Sequence, residues 1–330
     1  MPVPLNIDRT WPVHYTRDPA EGWRRSQVVR QRSAKPSSAG SIPAVASILT
    51  PAGFNFRSTV ESHGWYHLAP FSWSRSDAVL RRTELVGRKP VTLSITHRNG
   101  ALHVDHAIDD ALRAKLTRIF QLNVDVADFH RMTRNSPSHS WVEREGFGRL
   151  LCGATLFEDI IKIIATTNVT WSQTVRMAAN VVEVCGRGGA FPEPRDVIRF
   201  DPATLQERCR LGYRAKPVHA LASGIENGSI DLAKLSDPSQ STEELFASYM
   251  TLPGVGPYGA AHLLAMDGRH DFIAVDTEFR RFVRETYHGG RKVGDATMLR
   301  RYAKWGRWKY LAYWSELWGS VAERLQPQSE

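Results

Sequence analysis

The segment LPGVGPYGAAHLL, which begins at Leu252, is the feature that most restricts how this chain can fold. Gly254 and Gly256 lie between two helical stretches, and glycine adopts positive φ without the steric cost that a Cβ imposes. Pro257 suits the first turn of the second helix, where its missing N–H costs nothing. The segment therefore predicts a helix–hairpin–helix at about residues 242–267, whose free backbone N–H groups can hold a phosphate.

The overall charge favours a polyanionic partner. Lys and Arg number 43 against 34 Asp and Glu, which gives a net charge of +9. Basic side chains gain affinity for nucleic acid by displacing counterions from phosphates. The alternative is a basic protein that does not bind nucleic acid. Net charge alone does not distinguish these two possibilities.

Cysteine usage argues against disulfides and metal clusters. Cys152, Cys185 and Cys209 are widely spaced and form no CxxC motif. This pattern is typical of a reducing compartment. No apolar run reaches the length of a membrane span, and the N-terminus shows no signal-peptide core. We therefore expect a cytoplasmic protein, associated with the nucleoid if the source is a prokaryote.

Composition and periodicity divide the chain into three parts. Residues 1–48 are predicted to be a basic, flexible extension, with the alternative that its arginines form a DNA-binding arm. Residues 49–125 are predicted to be an antiparallel β-domain, in which PVTLSITHRNGALHVDH forms a hairpin that turns at Asn99–Gly100. Residues 126–330 show helical periodicity. The predicted fold class is α+β.

The hairpin and a downstream aspartate together carry a family resemblance. LPGVGPYGAAHLL followed by VDTEF resembles the helix-hairpin-helix, Gly/Pro…Asp (HhH-GPD) superfamily of DNA glycosylases. The resemblance implies that the hairpin grips the DNA backbone and that Asp276, 20 residues after Gly256, is the catalytic carboxylate. The hairpin positions that it assigns to DNA binding are Leu252, Gly254, Val255, Gly256, Tyr258 and Gly259.

The chemistry of such enzymes explains the aspartate. Cleavage of an N-glycosidic bond builds positive charge on the sugar, and a fixed carboxylate stabilises that charge and can orient the attacking water. Asp276 follows the apolar sequence FIAV, so we expect it at the edge of packed structure. The alternative role is the N-cap of the helix that begins at Thr277, and the two roles are compatible.

Two departures from the family pattern narrow the resemblance. Members that also nick the strand have a lysine where this chain has Tyr258, and tyrosine cannot form the imine, so the resemblance implies a monofunctional enzyme. No motif places Lys292 or Lys304 there instead. No cysteine follows Cys209, so no iron–sulfur cluster is implied, which favours the 3-methyladenine and 8-oxoguanine branches. No other cofactor is expected, except a monovalent cation at the hairpin carbonyls.

The family also implies a base pocket and a wedge that fills the gap left by the extruded base. Tyr258, Trp171 and His219 are the predicted pocket residues. Asn168, Tyr213 and Arg214 are the predicted wedge and orphan-base residues. Structural alternatives exist for each group: Asn168 can be a cap or turn residue, and Tyr213 and Trp171 can be core aromatics.

The sequence thus favours a monofunctional DNA glycosylase that excises a damaged, alkylated purine from double-stranded DNA and acts as a monomer. One alternative is a glycosylase for 8-oxoguanine or another modified base. Another is a non-catalytic helix-hairpin-helix protein that only binds DNA, although a pure grip does not need a carboxylate near phosphates. A structural helical protein unrelated to DNA conflicts with the motif and the charge together.

Overall fold

The structure is a computed structural model that describes residues 46–325. The predicted basic extension, with its arginine cluster, falls almost wholly on residues 1–45 and lies outside the described residues. The described chain begins with an antiparallel sheet and continues into a mostly helical part. This confirms the predicted α+β class.

Five strands form one antiparallel sheet in the order β1-β5-β4-β3-β2. Asn99 and Gly100 form the turn between β4 and β5 with φ values of 51° and 70°, as the hairpin prediction requires. Leu93 and Ile95 point inward from β4 and are fully buried, and they alternate with less buried residues as the pattern predicted. The strands are β1 Ala46–Leu49, β2 Phe71–Ser74, β3 Val79–Val86, β4 Lys89–Arg98 and β5 Ala101–Val104.

Fifteen α-helices lie within the described residues, one of them before the second strand and the rest after the sheet. They are α1 Phe56–Val60, α2 Asp110–Ile119, α3 Ala127–Thr133, α4 Trp141–Arg144, α5 Leu156–Thr166, α6 Trp171–Cys185, α7 Pro194–Val197, α8 Pro202–Arg208, α9 Ala215–Glu226, α10 Leu232–Leu235, α11 Thr242–Met250, α12 Pro257–Met266, α13 Thr277–His288, α14 Asp295–Arg300 and α15 Lys309–Leu325. Short 3-10 helices cover Gly64–His67, Pro137–His139, Gly212–Arg214 and Ala303–Trp308.

Helix α12, the second helix of the predicted hairpin, lies between two hydrophobic cores. Ala260, Leu263 and Leu264 join the larger core, which includes the inner face of the sheet and helices α5, α6 and α9. Ala261 and Ala265 join the second core, which is built mainly from α13, α14 and α15. Small side chains on this helix let both cores approach its backbone, so the hairpin is held from two sides.

A buried network of charges joins the sheet to the helical part. Arg82 of β3 donates to Glu158 of α5 at 2.9 Å, and Lys162 donates to the same carboxylate at 2.6 Å. Glu84 accepts from Arg82 and from Lys115. Burial alone would raise the pKa of Glu158, but Arg82 and Lys162 hold that pKa well below its usual value. The network therefore stays ionised inside the protein and fixes β3 against α5.

The aromatic stretch near the C-terminus is interrupted rather than continuous. Gly306 has φ 53° and ψ −125°, which kinks the chain within the 3-10 helix Ala303–Trp308, just before α15 begins. Trp305, Trp308 and Trp314 are buried, as expected for core residues. In the part of the chain that is described, no helix combines the length and the apolar character that crossing a bilayer requires.

Candidate active site and DNA interface

The hairpin is present, with α11 before it and α12 after it. Ser241 and Glu244 form a reciprocal capping box at the start of α11. Gly254 has φ 79°, and a Cβ at this position would lie 2.8 Å from Pro217 Cβ. Gly256 caps α12 with φ −107°, and nothing lies within 4 Å of a Cβ built there. Gly254 is therefore required by the turn, whereas Gly256 leaves open space in front of the helix.

The predicted hairpin residues divide into buried and open positions. Leu252 and Val255 are buried in the larger core. Gly259 is buried as well, and a Cβ there would lie 2.9 Å from Ile163 Cγ2. Gly254 and Gly256 are exposed, so the backbone of these two residues is the part of the hairpin that a phosphate could approach.

Asp276 lies directly before α13 and caps it. Its Oδ1 accepts a hydrogen bond of 2.7 Å from the backbone N–H of Phe279. Ile273 and Ala274 just before it are buried, and Asp276 itself is only partly exposed. Burial raises the pKa of Asp276, the charge of Glu278 adds to this, and the Phe279 N–H opposes it. The site therefore holds a carboxylate with limited hydration and a fixed direction.

Tyr258, the predicted replacement for a lysine nucleophile, lies in the field of that carboxylate. Burial raises the pKa of the Tyr258 phenol, and the negative charge of Asp276 raises it further. The phenol therefore remains protonated. The Tyr258 ring meets the His262 ring edge to face, with centroids 4.7 Å apart. Tyr258 thus lies within electrostatic reach of Asp276 and in ring contact with His262, one helical turn further along α12.

His262 continues into a cluster of rings from α15 that the sequence analysis did not assign to the site. Tyr310 Oη lies 3.3 Å from His262 Nδ1, and the Tyr310 and Trp314 rings stack with centroids 5.8 Å apart. We call Tyr258, His262, Tyr310 and Trp314 the aromatic cluster. The i to i+4 spacing of Tyr258 and His262, and of Tyr310 and Trp314, was a signal available in the sequence.

The β-domain also reaches the aromatic cluster. Trp314 Nε1 donates to the Ser62 carbonyl at 2.8 Å. His63 is buried, and Leu151 O lies 2.7 Å from its Nε2. Burial lowers the pKa of His63 to about 3, and the neighbouring His262 contributes to this. The segment that holds Ser62 and His63 therefore packs against the cluster from the sheet side, which no periodicity in the sequence indicated.

Of the other two predicted pocket residues, His219 is set apart from Tyr258, His262 and Asp276. His219 lies on α9, where its Nδ1 is 3.4 Å from Ser223 Oγ. Trp171 begins α6 and packs against the larger core. Among the described residues, no hydrogen bond or ring contact connects His219 to Tyr258, His262 or Asp276. The structure therefore places Tyr258 within electrostatic reach of Asp276 and places His219 on a different helix, α9.

The predicted wedge residues do come together. Asn168 has φ 50°, and its Nδ2 donates to Tyr213 Oη at 3.3 Å. Tyr213 is 61% exposed, whereas the Arg214 side chain beside it is buried. The Arg214 guanidinium lies 4.4 Å from the Tyr213 ring centroid and donates to the Thr167 carbonyl. Arg214 thus braces the two loops, and Tyr213 is the side chain that projects.

Within residues 46–325, no group of three or more His, Cys, Asp or Glu side chains is placed to hold a metal ion. A shallow cleft of about 530 Å³ lies between α3 and the 3-10 helix at Ala303–Trp308. Its Asp128 already pairs with Arg131 and Arg307, and the cleft contains none of the predicted site residues.

The sequence matches a known family over the region that holds the hairpin and Asp276. Residues 161–307 match the family described as "HhH-GPD superfamily base excision DNA repair protein". A relative from Methanothermobacter thermautotrophicus, named "Probable N-glycosylase/DNA lyase", is 23% identical over 259 residues. That match covers 69% of this chain and 81% of the relative.

Solved structures share the fold. The 3-methyladenine DNA glycosylase from Archaeoglobus fulgidus is 19% identical with a TM-score of 0.67, over 84% of this chain and 99% of that one. The 8-oxoguanine glycosylase/lyase of Clostridium acetobutylicum, solved with double-stranded DNA, is 16% identical with a TM-score of 0.66, over 85% and 98%. The matched segment contains the hairpin, Tyr258 and Asp276. Residues 161–307 therefore belong to the HhH-GPD superfamily of base excision DNA repair proteins, and the described part of the chain shares its fold with solved DNA glycosylases.

Proposed function

We propose that the chain is a monofunctional DNA glycosylase that hydrolyses the N-glycosidic bond of an extruded alkylated purine, with Asp276 as the catalytic carboxylate. The observation that carries the proposal is the half-buried Asp276 carboxylate, which the Phe279 N–H holds in place at the start of α13, downstream of the hairpin and within electrostatic reach of Tyr258. The proposed partner is double-stranded DNA with one damaged base, bound by a single copy of the chain.

The proposed reaction uses one water molecule. As the bond between C1′ and the base breaks, its electron pair leaves with the base and positive charge develops on the sugar. The Asp276 carboxylate stabilises that charge because few waters screen it. Water then adds to C1′ and gives up a proton, for which Asp276 is the acceptor, so the products are the free base and an abasic site.

The identity of residue 258 supports the monofunctional part of the proposal. Both the Methanothermobacter relative and the clostridial protein carry the word lyase in their names. Tyr258 has no amine that could form an imine with C1′. Lys162 lies on the neighbouring helix α5, but it is buried and paired with Glu158. We therefore propose that water, rather than a side chain, attacks the sugar.

The aromatic cluster supports the choice of substrate class. Tyr258 and Tyr310 remain neutral phenols because burial raises the pKa of each. Burial lowers the pKa of His262 to about 4, so the imidazole is neutral at physiological pH. Neutral aromatic faces attract a cationic ring and do not repel it. Alkylated purines are such rings, and their glycosidic bonds are already weakened.

The test is base release from duplexes that each carry one lesion: 7-methylguanine, 1,N6-ethenoadenine, hypoxanthine, 8-oxoguanine or uracil. We expect release of an alkylated purine, with strand breaks only after hot alkali and no product trapped by borohydride. Breaks without alkali, or a trapped covalent product, contradict the monofunctional proposal. Release of 8-oxoguanine alone contradicts the substrate class. Tight binding without release of any base favours a non-catalytic DNA-binding protein.

A further inference from the structure

His262 occupies a distinctive position in the aromatic cluster. It lies one helical turn after Tyr258 on α12, and the rings of Tyr258, Tyr310 and Trp314 all meet it nearly edge-on. Burial lowers the pKa of the imidazole, yet the side chain is partly exposed. His262 is therefore a neutral ring that packs among aromatic side chains and still keeps some exposure to solvent.

The hydrogen bond to Tyr310 determines which edge of His262 donates. Tyr310 is 1% exposed, and among the described residues His262 Nδ1 is the one hydrogen-bond partner of its hydroxyl. If Nδ1 carried the proton, the Tyr310 O–H would remain as a buried donor without an acceptor, which costs roughly 1–3 kcal/mol. The favoured arrangement is therefore Tyr310 O–H donating to Nδ1, with the imidazole proton on Nε2.

Nε2 is the atom that is left for a ligand. In the described part of the chain it has no hydrogen-bond partner, and it does not belong to the fully buried unpaired atoms, unlike both ring nitrogens of His270. An accessible N–H in a neutral ring is a directional hydrogen-bond donor that carries no net charge. Such a donor favours a base that offers a hydrogen-bond acceptor at this position over a base that offers another donor.

We propose that His262, oriented by Tyr310, presents a fixed Nε2–H donor to the extruded base, so that the site favours oxopurines, such as an alkylated guanine, over aminopurines. The proposal rests on the proposed function, because it assumes that the base enters beside Tyr258 and Asp276. A carbonyl oxygen accepts from Nε2–H, whereas an amino group offers a second donor and leaves both groups unpaired.

The experiment measures two bases released from one substrate. Genomic DNA methylated with dimethyl sulfate carries both 7-methylguanine, an oxopurine, and 3-methyladenine, an aminopurine. Initial release of each is quantified for the wild type, His262→Phe and Tyr310→Phe, after subtraction of spontaneous loss. His262→Phe keeps a ring against Tyr258 and removes the donor. Binding to a duplex with a tetrahydrofuran abasic analogue controls for folding.

We expect His262→Phe to lower release of 7-methylguanine about tenfold or more while release of 3-methyladenine changes by less than about threefold. Tyr310→Phe should move the ratio in the same direction, because an unrestrained imidazole can turn an acceptor towards an amino group. Equal losses for both bases, or an unchanged ratio, overturn the assignment of His262. If the wild type releases neither base, the proposed function itself fails.

Discussion

The Asp276 carboxylate accepts a 2.7 Å hydrogen bond from the Phe279 backbone N–H, so the proposed catalytic group is also the N-cap of α13. The cap fixes the direction of the carboxylate without neutralising its charge. Because α13 packs Phe279 and Phe282 into the second core, the position of Asp276 depends on that core. The Asp276 side chain therefore has two roles, a structural one as the helix cap and a proposed catalytic one as a negative charge. The substitution Asp276→Asn separates the two roles, because asparagine also caps helices well but carries no charge.

Removal of the neighbouring negative charge should change the pH dependence of catalysis. Asp276 acts as an anion, so activity falls as pH drops through its pKa, which burial and Glu278 raise. Glu278→Gln should therefore lower that pKa and move the acidic limb of single-turnover base release to lower pH, by less than about one unit. Glu285→Gln is the matched control, because Glu285 also pairs with Arg281 on α13. An unchanged limb in Glu278→Gln, or equal changes in both variants, argues against Asp276 as the titrating group.

Alanine substitutions of the two hairpin glycines should affect different properties, stability for Gly254 and DNA affinity for Gly256. Gly254→Ala introduces a side chain at positive φ and 2.8 Å from Pro217 Cβ, so it should destabilise the fold by about 1–3 kcal/mol. Gly256→Ala meets open space, so the unfolding midpoint should not change, while affinity for duplex DNA should drop about tenfold if phosphate approaches there. Denaturant unfolding and fluorescence anisotropy measure the two effects. Full DNA affinity in Gly256→Ala would exclude this backbone contact.

Tyr213 should matter only when a base must leave the stack. Its ring is 61% exposed, so Tyr213→Ala should alter stability by less than about 0.5 kcal/mol. Base release from a fully paired duplex should fall about tenfold or more, since nothing fills the gap. The loss should shrink when the lesion lies opposite an abasic analogue, and Tyr213→Phe should retain wild-type rates. Equal losses in both duplexes would argue against a wedge.

The buried charge network should be a stability determinant rather than part of catalysis. Arg82→Met leaves Glu158 and Glu84 buried with fewer partners, and breaking such a pair costs about 3–5 kcal/mol. Arg134→Met, which breaks an exposed pair with Glu143, should leave the unfolding midpoint unchanged. Urea unfolding of both variants checks this. Similar midpoints for the two would show that the buried network is dispensable.

Local signals in the sequence were enough for much of the fold. Local sequence preferences predict the turn at Asn99–Gly100 and the alternation of Leu93 and Ile95. They also predict the glycine-bounded helices near the hairpin. The interruption at Gly306 was not predicted, because a lone glycine inside an aromatic helical pattern is often tolerated.

The site was predictable only where one motif contained it. Asp276 and Tyr258 were predicted because a fixed spacing relates them to the hairpin, and their roles stay predictions. His63, His262 and Tyr310 come from the β-domain, α12 and α15, and only tertiary packing brings them together. His219 was predicted without a fixed spacing to the hairpin. It lies on α9 with its Nδ1 3.4 Å from Ser223 Oγ, and its place in the pocket stays a prediction.

The most direct test of the account compares Asp276→Asn with the wild type on a duplex that carries 7-methylguanine. Single-turnover base release is scored as alkali-dependent strand breaks, and binding to a tetrahydrofuran abasic analogue is measured in parallel. The account predicts that release falls about a hundredfold to a thousandfold while DNA binding and the unfolding midpoint are retained. Release at the wild-type rate by a fully folded Asp276→Asn protein would contradict the catalytic role of Asp276.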